Sequence, residues 1–243
     1  MSSQILAVED LRISFGANHV LRSVSFDLAS NEILGIIGPN GAGKTVLLNI
    51  LTGILKPSSG RIHLLGQDVT HKTATERCRL GLGRTFQVPR SFEGMTVFEN
   101  VIVGAVYGGS VTEKIGRRRA IEILERIGLA DKAEWFARKL SLIDRKRLEI
   151  GRALATDPKV LLLDEVAAGL TETEVEKLLA IVGVIRQQGI SIVWIEHVLQ
   201  TMREGTDRIL CLAEGRVIKT GVFEEVMGSK EILECYMGAD EEC

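Results

Sequence analysis

The sequence predicts an α/β protein built on a parallel sheet, with an antiparallel β-subdomain ahead of it and a helical subdomain inserted into it. Apolar runs at 32–37, 160–163 and 191–195 indicate the parallel sheet, because they have the length of buried strands and segments of helical character separate them. Patterns change from strand-like to helical after about residue 96, which indicates the inserted subdomain. The short alternating runs near the start of the chain indicate the antiparallel sheet.

A single domain can accommodate this pattern. The chain has 243 residues, of which 45% are hydrophobic, so it can bury one large core. We assign about 1–95 and 155–243 to the core with its β-subdomain, and about 96–154 to the helical subdomain.

Charge and hydropathy limit the expected partners. A formal charge of -2 and a pI of about 6.2 give no overall attraction to nucleic acid, and we expect no nucleic-acid partner. No apolar run approaches the roughly 20 residues that span a bilayer, and the first residues lack the basic start and long apolar core of a signal peptide. We therefore expect a cytosolic protein.

The N-terminal strands are predicted at 5–8, 11–15 and 24–28, with a turn at Gly16-Ala17-Asn18. The next strand, 32–37, leads into the first chemical motif, Gly38-Pro39-Asn40-Gly41-Ala42-Gly43-Lys44-Thr45. A helical pattern at 46–51 follows it, and strand, glycine loop and helix together are the context of a phosphate-binding loop.

The residue types of this loop suit a nucleoside triphosphate. Glycines allow the backbone N–H groups to turn around the phosphates, and the following helix directs its positive end at the same charge. Lys44 is expected to reach the β- and γ-phosphates, and Thr45 to offer its hydroxyl to Mg²⁺. The loop therefore predicts nucleotide binding.

Phe15 ends an N-terminal strand upstream of this loop and has two interpretations. An aromatic residue in a strand most often belongs to the core, whereas a position ahead of a phosphate loop suits stacking on an adenine base. The sequence leaves both interpretations open.

The middle of the chain is predicted to contain a strand at 61–65, a helix at 73–80, a loop opened by Gln87, and helices at 97–105, 113–127 and 132–138. The run Arg117-Arg118-Arg119 shares its helix with glutamates, so we interpret it as a solvated face. A further helix begins near Ser141 and continues to Leu154. Ser141 can cap this helix, and Asp144 is predicted to reach back as in a capping box.

Asp164 and Glu165 form the second chemical motif, directly after the apolar run 160–163. Carboxylates at the carboxyl end of a buried parallel strand lie where α/β sheets bind ligands, and burying their charge requires a compensating cation. Asp164 is expected to hold Mg²⁺, and Glu165 to orient and deprotonate the attacking water. The alternative, that these acids cap the next helix, fits Thr171 or Glu172 better.

His197 follows the buried strand 191–195. A lone histidine is most often a satisfied polar residue. Its place at the end of a strand parallel to the one that carries Glu165 instead favours a contact with the γ-phosphate.

Taken together, these motifs resemble the nucleotide-binding subunits of ABC transporters over nearly the whole chain. In family order they are the aromatic Phe15, the Walker A loop 38–45, the Gln87 loop, the signature helix that begins at Leu140-Ser141, the Walker B acids Asp164 and Glu165, and the switch His197. The resemblance implies an ATPase with ATP and Mg²⁺ at this site. It implies that Gln87 senses Mg²⁺ and the transmembrane subunit, and that residues near 88–100 dock against that subunit.

More narrowly, the segments 83–87, 96–100, 167–170 and 195–197 are similar to the ATPase subunits of branched-chain amino-acid importers. This resemblance implies integral membrane permease subunits, a second and different ATPase subunit paired head to tail, and a peripheral location at the cytoplasmic face of the membrane. Ser141 is expected to face the partner's ATP. A soluble regulatory or repair ATPase of the same type is the alternative, but the long coiled coil or tandem cassette of such proteins is missing.

Two departures from the family pattern stand out. Leu142, Ile143 and Asp144 replace the Gly-Gly-Gln of the family signature, so that side chains fill the space of two glycines and Asp144 adds a negative charge. Val166 and Thr171 stand where proline and aspartate are usual. We expect the first departure to weaken the site at which the partner binds ATP, while this chain's own site stays intact.

Overall fold

The computed structural model describes residues 4–237, and the end of the predicted helical tail, at 238–243, lies outside these residues. The strands of the described part are β1 (Gln4–Phe15), β2 (Asn18–Ala29), β3 (Ile33–Ile37), β4 (Ser59–Leu64), β5 (Gln67–Asp68), β6 (Leu82–Arg84), β7 (Val160–Asp164), β8 (Ser191–Ile195), β9 (Arg208–Ala213) and β10 (Arg216–Gly221). Its α-helices are α1 (Lys44–Leu51), α2 (Ala74–Arg79), α3 (Val97–Val103), α4 (Glu113–Arg126), α5 (Leu142–Ala155), α6 (Glu172–Gln187), α7 (Leu199–Gly205), α8 (Phe223–Met227) and α9 (Lys230–Met237).

The strands form two sheets, as the sequence predicts. The antiparallel sheet has the order β2-β1-β4-β5, and the second sheet has the order β10-β9-β3-β8-β7-β6. In the second sheet only the β9–β10 hairpin is antiparallel. The parallel strands β3, β7 and β8 therefore bring the phosphate loop, Glu165 and His197 to the same edge.

Both faces of the parallel sheet are buried, which explains its uninterrupted apolar runs. On β7, Leu161 and Leu163 pack in the cluster that contains the helical subdomain, and Val160 and Leu162 pack in the cluster beneath the antiparallel sheet. The second cluster also contains Leu47 and Leu48 of α1. The phosphate loop thus lies between two rigid layers, which fixes its position.

The inserted helical subdomain contains α3, α4 and α5, which pack on one another. One π-helical turn, Gly104–Gly108, extends α3. At Gly104 a Cβ would lie 2.6 Å from the Arg152 carbonyl oxygen, so this glycine allows α3 to approach α5.

The predicted helix at 132–138 is wrong. This segment contains two short 3₁₀ turns, Ala130–Lys132 and Ala137–Lys139, with irregular chain between them. The N–H groups of Val97 and Phe98, at the start of α3, donate to the Trp135 and Ala133 carbonyls at 2.8 and 2.9 Å. The segment is not helical because its carbonyl oxygens accept from the first N–H groups of α3, which have no partner within that helix.

Asp164 and Glu165 do not cap the helix that follows them. Thr171 caps α6, and Glu174 completes the capping box. This outcome leaves both acids free for another role, as the sequence predicts. Within residues 4–237, no helix is long and apolar enough to cross a membrane.

Candidate active site

The loop 38–45 is shaped by positions that only glycine fills without strain. Gly38 has φ 148°, and a Cβ there would lie 1.9 Å from the Leu212 carbonyl oxygen on β9. Gly43 has φ 100°, and a Cβ there would lie 2.7 Å from Leu21 Cδ2 on β2. Because other residues rarely adopt these conformations, the glycines fix the loop against both sheets.

Lys44 begins α1 and folds back over the loop. Its Nζ donates to the carbonyl oxygens of Gly38 at 2.6 Å and Pro39 at 2.9 Å, and the residue is only 8% exposed. Burial lowers the pKa of Lys44, while the neighbouring charges of Glu165 and Asp164 oppose that shift. The hydrogen bonds of Nζ go to neutral backbone carbonyls, so a phosphate that enters the loop competes only with uncharged acceptors for them.

The amino end of α1 is open to a ligand. Its N-cap is Gly43, which has no side chain to cap the helix, and no acidic residue lies in the first turn. The first N–H groups of α1 thus keep their capacity to donate, and the helix dipole favours negative charge there. A cavity of about 300 Å³ opens at this point, lined by Val20, residues 40–46 and Glu165.

Asp164 ends β7 and is compensated by a residue that sequence reasoning missed. Its Oδ2 accepts from Arg84 Nη2 at 2.9 Å, and both side chains are almost fully buried. Arg84 ends the neighbouring parallel strand β6 and also donates to Asn49 Oδ1 at 2.7 Å. Its only signal in the sequence is a cation at a strand end directly after Gly83, which is weak.

Glu165, Gln87 and His197 come together in the structure, although they are far apart in the sequence. Gln87 Nε2 donates to Glu165 Oε2 at 2.5 Å, and His197 Nδ1 lies 3.8 Å from the same oxygen. The Glu165 N–H donates to the Ile195 carbonyl at the end of β8, at 2.9 Å. The pairing of β7 with β8 therefore decides that His197 faces Glu165.

The oxygen groups at this edge fit Mg²⁺, a hard cation that is usually bound through one or two carboxylates and phosphate oxygens. Arg84 occupies Oδ2 of Asp164, and Oδ1 accepts no hydrogen bond from any described residue. Gln87 bonds to Glu165 through its nitrogen, which leaves its amide oxygen available. Thr45 is exposed at the start of α1 and lines the cavity.

Phe15 is 51% exposed and pairs with Asn18 at the tip of the β1–β2 hairpin. The interpretation of Phe15 as a core aromatic is therefore wrong. Its exposed ring is free to stack on a planar ligand, and that role stays a prediction.

Ser141 is the N-cap of α5, where its Oγ accepts from the Asp144 N–H at 3.3 Å. Among the described residues its side chain makes no hydrogen bond with loop 38–45. The predicted return bond of the capping box is wrong: Asp144 Oδ2 instead accepts from Lys132 Nζ at 2.6 Å, and Oδ1 lies 3.4 Å from Arg147 Nη1. Asp144 is only 4% exposed, so two cations neutralise its charge within this chain.

Sequence reasoning also missed two buried charged groups behind Glu165. Lys146 on α5 is 4% exposed and Glu196 after β8 is fully buried. Glu196 does carry a signal, because it follows a buried strand as Glu165 does. Lys146 carries none, because only the tertiary packing of α5 brings it to the sheet.

Comparisons with known proteins agree with this geometry. The family model described as ABC transporter matches residues 21–168. The chain is 36% identical to the high-affinity branched-chain amino acid transport ATP-binding protein LivG of Salmonella typhimurium, with 98% of this chain and 99% of that protein covered. It is 31% identical to the lipopolysaccharide export system ATP-binding protein LptB of Haemophilus influenzae, with 96% and 97% covered.

Solved structures give the same result. An ATP-binding cassette of an ABC transporter in its ADP conformation has a TM-score of 0.89 and 30% identity, with 98% of this chain and 100% of that chain covered. A nucleotide-free cassette has a TM-score of 0.87 and 30% identity, with 96% and 99% covered.

Proposed function

Because the chain belongs to the ABC transporter family and is an ATP-binding, ATP-hydrolysing subunit, we propose that it drives the import of branched-chain or related amino acids. Similarity to LivG over nearly the full length of both chains supports this substrate class. Residues that select an amino acid belong to the permease and binding-protein chains of such systems. This subunit supplies the energy, at the cytoplasmic face of the membrane.

The observation that carries the chemistry is the contact of Gln87 and His197 with Glu165 beside the phosphate loop. Glu165 acts as the general base that takes a proton from the attacking water. Gln87 holds its carboxylate by a hydrogen bond, and the exposed His197 contacts the γ-phosphate. These roles require ATP to enter the cavity next to Glu165.

Loop 38–45 and the amino end of α1 bind the phosphates. Lys44 exchanges the carbonyls of Gly38 and Pro39 for β- and γ-phosphate oxygens, which are stronger acceptors because they are charged. Phe15 stacks on the adenine. Thr45, Asp164 and Gln87 would hold Mg²⁺, which would neutralise negative charge on the phosphates.

ATP binding closes this chain with a second, different ATPase subunit in a head-to-tail pair, in which Ser141 and the amino end of α5 face the partner's nucleotide. Leu142 is 47% exposed next to Gly169, where a side chain obstructs close backbone approach. Lys132 and Arg147 neutralise Asp144, so its charge adds less to the defect than the sequence suggests. The two ATP sites are therefore unequal, mainly through Leu142.

The inequality has a direct test in the assembled transporter. We expect Glu165→Gln to remove most ATP hydrolysis and the matching substitution in the partner subunit to remove little, because Leu142 obstructs the partner's site. Leu142→Gly should raise the turnover of the partner's site. Equal turnover at the two sites, each measured with the other inactivated, would contradict the proposal.

The permease docks at the loop after Gln87 and the adjoining groove. Val88 is 73% exposed and Phe92 is 44% exposed. The groove is a cavity of about 270 Å³ between the core and the helical subdomain, and its lining includes Arg152, whose guanidinium lies 4.7 Å from the centre of the Phe92 ring. Asn100, which the resemblance includes in the docking region, is buried and bonds to the Phe92 N–H and carbonyl. Asn100 therefore shapes the loop and does not contact the permease itself.

Val88→Asp should weaken assembly with the permease by about tenfold or more, because a charge would replace an apolar contact in the interface. Val88 is so exposed that the folded subunit should be unaffected. Copurification with the permease from detergent measures the effect, and Ile121→Asp, at a residue that is 53% exposed on α4, is the control. Normal copurification of Val88→Asp would refute docking at this loop, and ATP hydrolysis without any membrane partner would favour a soluble regulatory ATPase.

A further inference from the structure

Two buried charges behind Glu165 have no role in the site described above. Lys146 lies on α5, five residues after Ser141, and Glu196 directly precedes His197. They are 4% and 0% exposed. Burying an ammonium or a carboxylate costs several kcal/mol unless its interactions compensate, so their actual contacts matter.

The ammonium group of Lys146 bonds to the backbone of Glu165. Its Nζ donates to the Glu165 carbonyl oxygen at 3.1 Å. Glu165 has φ 47°, a left-handed conformation that is costly for a residue with a side chain. The Glu165 N–H is held by Ile195 at 2.9 Å, so the peptide groups on both sides of this strained residue are fixed.

Glu196 bonds to the backbone two residues after Glu165, at Ala167, in the turn 165–167 that follows β7. Its Oε1 accepts from the Ala167 N–H at 2.5 Å and from Trp194 Nε1 at 3.4 Å. Its Oε2 is buried and has no hydrogen-bond partner among the described residues. Burial raises the pKa of Glu196, and the Ala167 N–H and the nearby charges of His197 and Lys146 oppose that shift.

The two charges do not form a direct ion pair, since no nitrogen–oxygen distance between them falls within 4.0 Å in the described residues. They are electrostatic neighbours, and burial lowers the pKa of Lys146 while the charges of Glu196 and Glu165 oppose that shift. Two opposite buried charges with a purely structural role would be expected to bond to each other. Here each partner instead bonds to the backbone of the turn at 165–167.

We propose that Lys146 and Glu196 are positioning residues for Glu165, which hold the turn at 165–167 from two sides and so aim the Glu165 carboxylate at the attacking water. The proposal rests on the proposed role of Glu165 as general base. Because Lys146 belongs to the helix that Ser141 caps, it also connects the surface facing the partner's ATP with this chain's own base. Neither residue touches the nucleotide cavity.

The consequence is a specific kinetic pattern. A misaimed general base slows the chemical step, and a displacement of about 1 Å can cost about 100-fold. Substitution of either residue should therefore lower kcat about 10- to 100-fold and leave KM for ATP within about twofold, because an interaction realised only in the transition state is lost.

The test uses the assembled transporter and two substitutions at each position. Lys146→Met removes the donor and Lys146→Arg keeps one, while Glu196→Leu removes the acceptor and Glu196→Gln keeps one. We expect kcat to fall in Lys146→Met and Glu196→Leu and to recover in Lys146→Arg and Glu196→Gln. A kcat within twofold of wild type in both Met and Leu variants, or a rise in KM that accounts for the lost kcat/KM, would overturn the proposal.

Arg77→Met is the matched control for lost stability. Arg77 is a buried cation that likewise donates to backbone carbonyls, those of Ile50 and Leu51, at 2.6 and 2.7 Å, but it does not contact the turn at 165–167. We expect it to lower the melting temperature without lowering kcat of the folded protein. If Lys146→Met does not fold, the two Glu196 variants decide the matter by themselves.

Glu165→Gln in the same assay separates the two proposals. If it retains turnover, the assignment of Glu165 as general base fails. If it is inactive while Lys146→Met and Glu196→Leu are normal, only the positioning role fails.

Discussion

Glu165→Gln, assembled with its permease and partner ATPase, is expected to bind ATP normally and to hydrolyse it at this site about 10²- to 10⁴-fold more slowly. The amide cannot accept the proton of the attacking water, whereas its shape preserves the contacts with Gln87 and His197. ATP binding then closes the two ATPase subunits on each other, and the hydrolysis that would reopen them does not follow. The variant should accumulate as a closed, ATP-bound complex.

Two measurements check this expectation: single-turnover hydrolysis of ATP, and retention of ATP by the complex during gel filtration. Glu172→Gln, on the exposed start of α6, is the control, because it removes a nearby carboxylate that makes no contact with the site. Unchanged turnover of Glu165→Gln with an inactive partner site would remove Glu165 from its role.

Lys44→Met is expected to weaken ATP binding about 10- to 100-fold, the effect of losing about 1.5–3 kcal/mol of charge-assisted hydrogen bonding. The substitution keeps the volume of a buried side chain and removes the ammonium that the loop holds over its carbonyls. Binding of AMP should change little, because AMP lacks the β- and γ-phosphates that we propose Lys44 binds.

Isothermal titration with ATP and with AMP measures both effects on the isolated subunit. Lys56→Met, at an exposed position after α1, controls for the loss of one positive charge. Equal weakening of ATP and AMP binding would show that the substitution disturbs the loop as a whole and not the contact to the terminal phosphates.

The fold could be predicted largely because its signals are local. The glycines of loop 38–45 encode backbone conformation, and the apolar runs of β3, β7 and β8 encode burial on two faces. The predicted helix at 132–138 failed because tertiary hydrogen bonds to the start of α3 override the local pattern.

The residues of the candidate site likewise divide into those that the sequence predicts and those that it does not. Loop 38–45 and the acids Asp164 and Glu165 are recognisable in the sequence because each motif is contiguous and its residue types match a definite chemistry. The direction of the Asp144 carboxylate was not predictable, since Lys132 and Arg147 compete with the helix end for it. Exposure, which decided between the two interpretations of Phe15, is likewise a property of the packed chain.

The sequence by itself determined that this protein binds a nucleotide, through a loop whose backbone shape and charge are written in eight consecutive residues. Only the tertiary structure decided which side chains serve that loop. Arg84 reaches Asp164 and Lys146 reaches the Glu165 carbonyl because β6 and α5 pack beside β7, and strand order and helix packing are set by the whole core. No local pattern encodes which distant residues that core brings together.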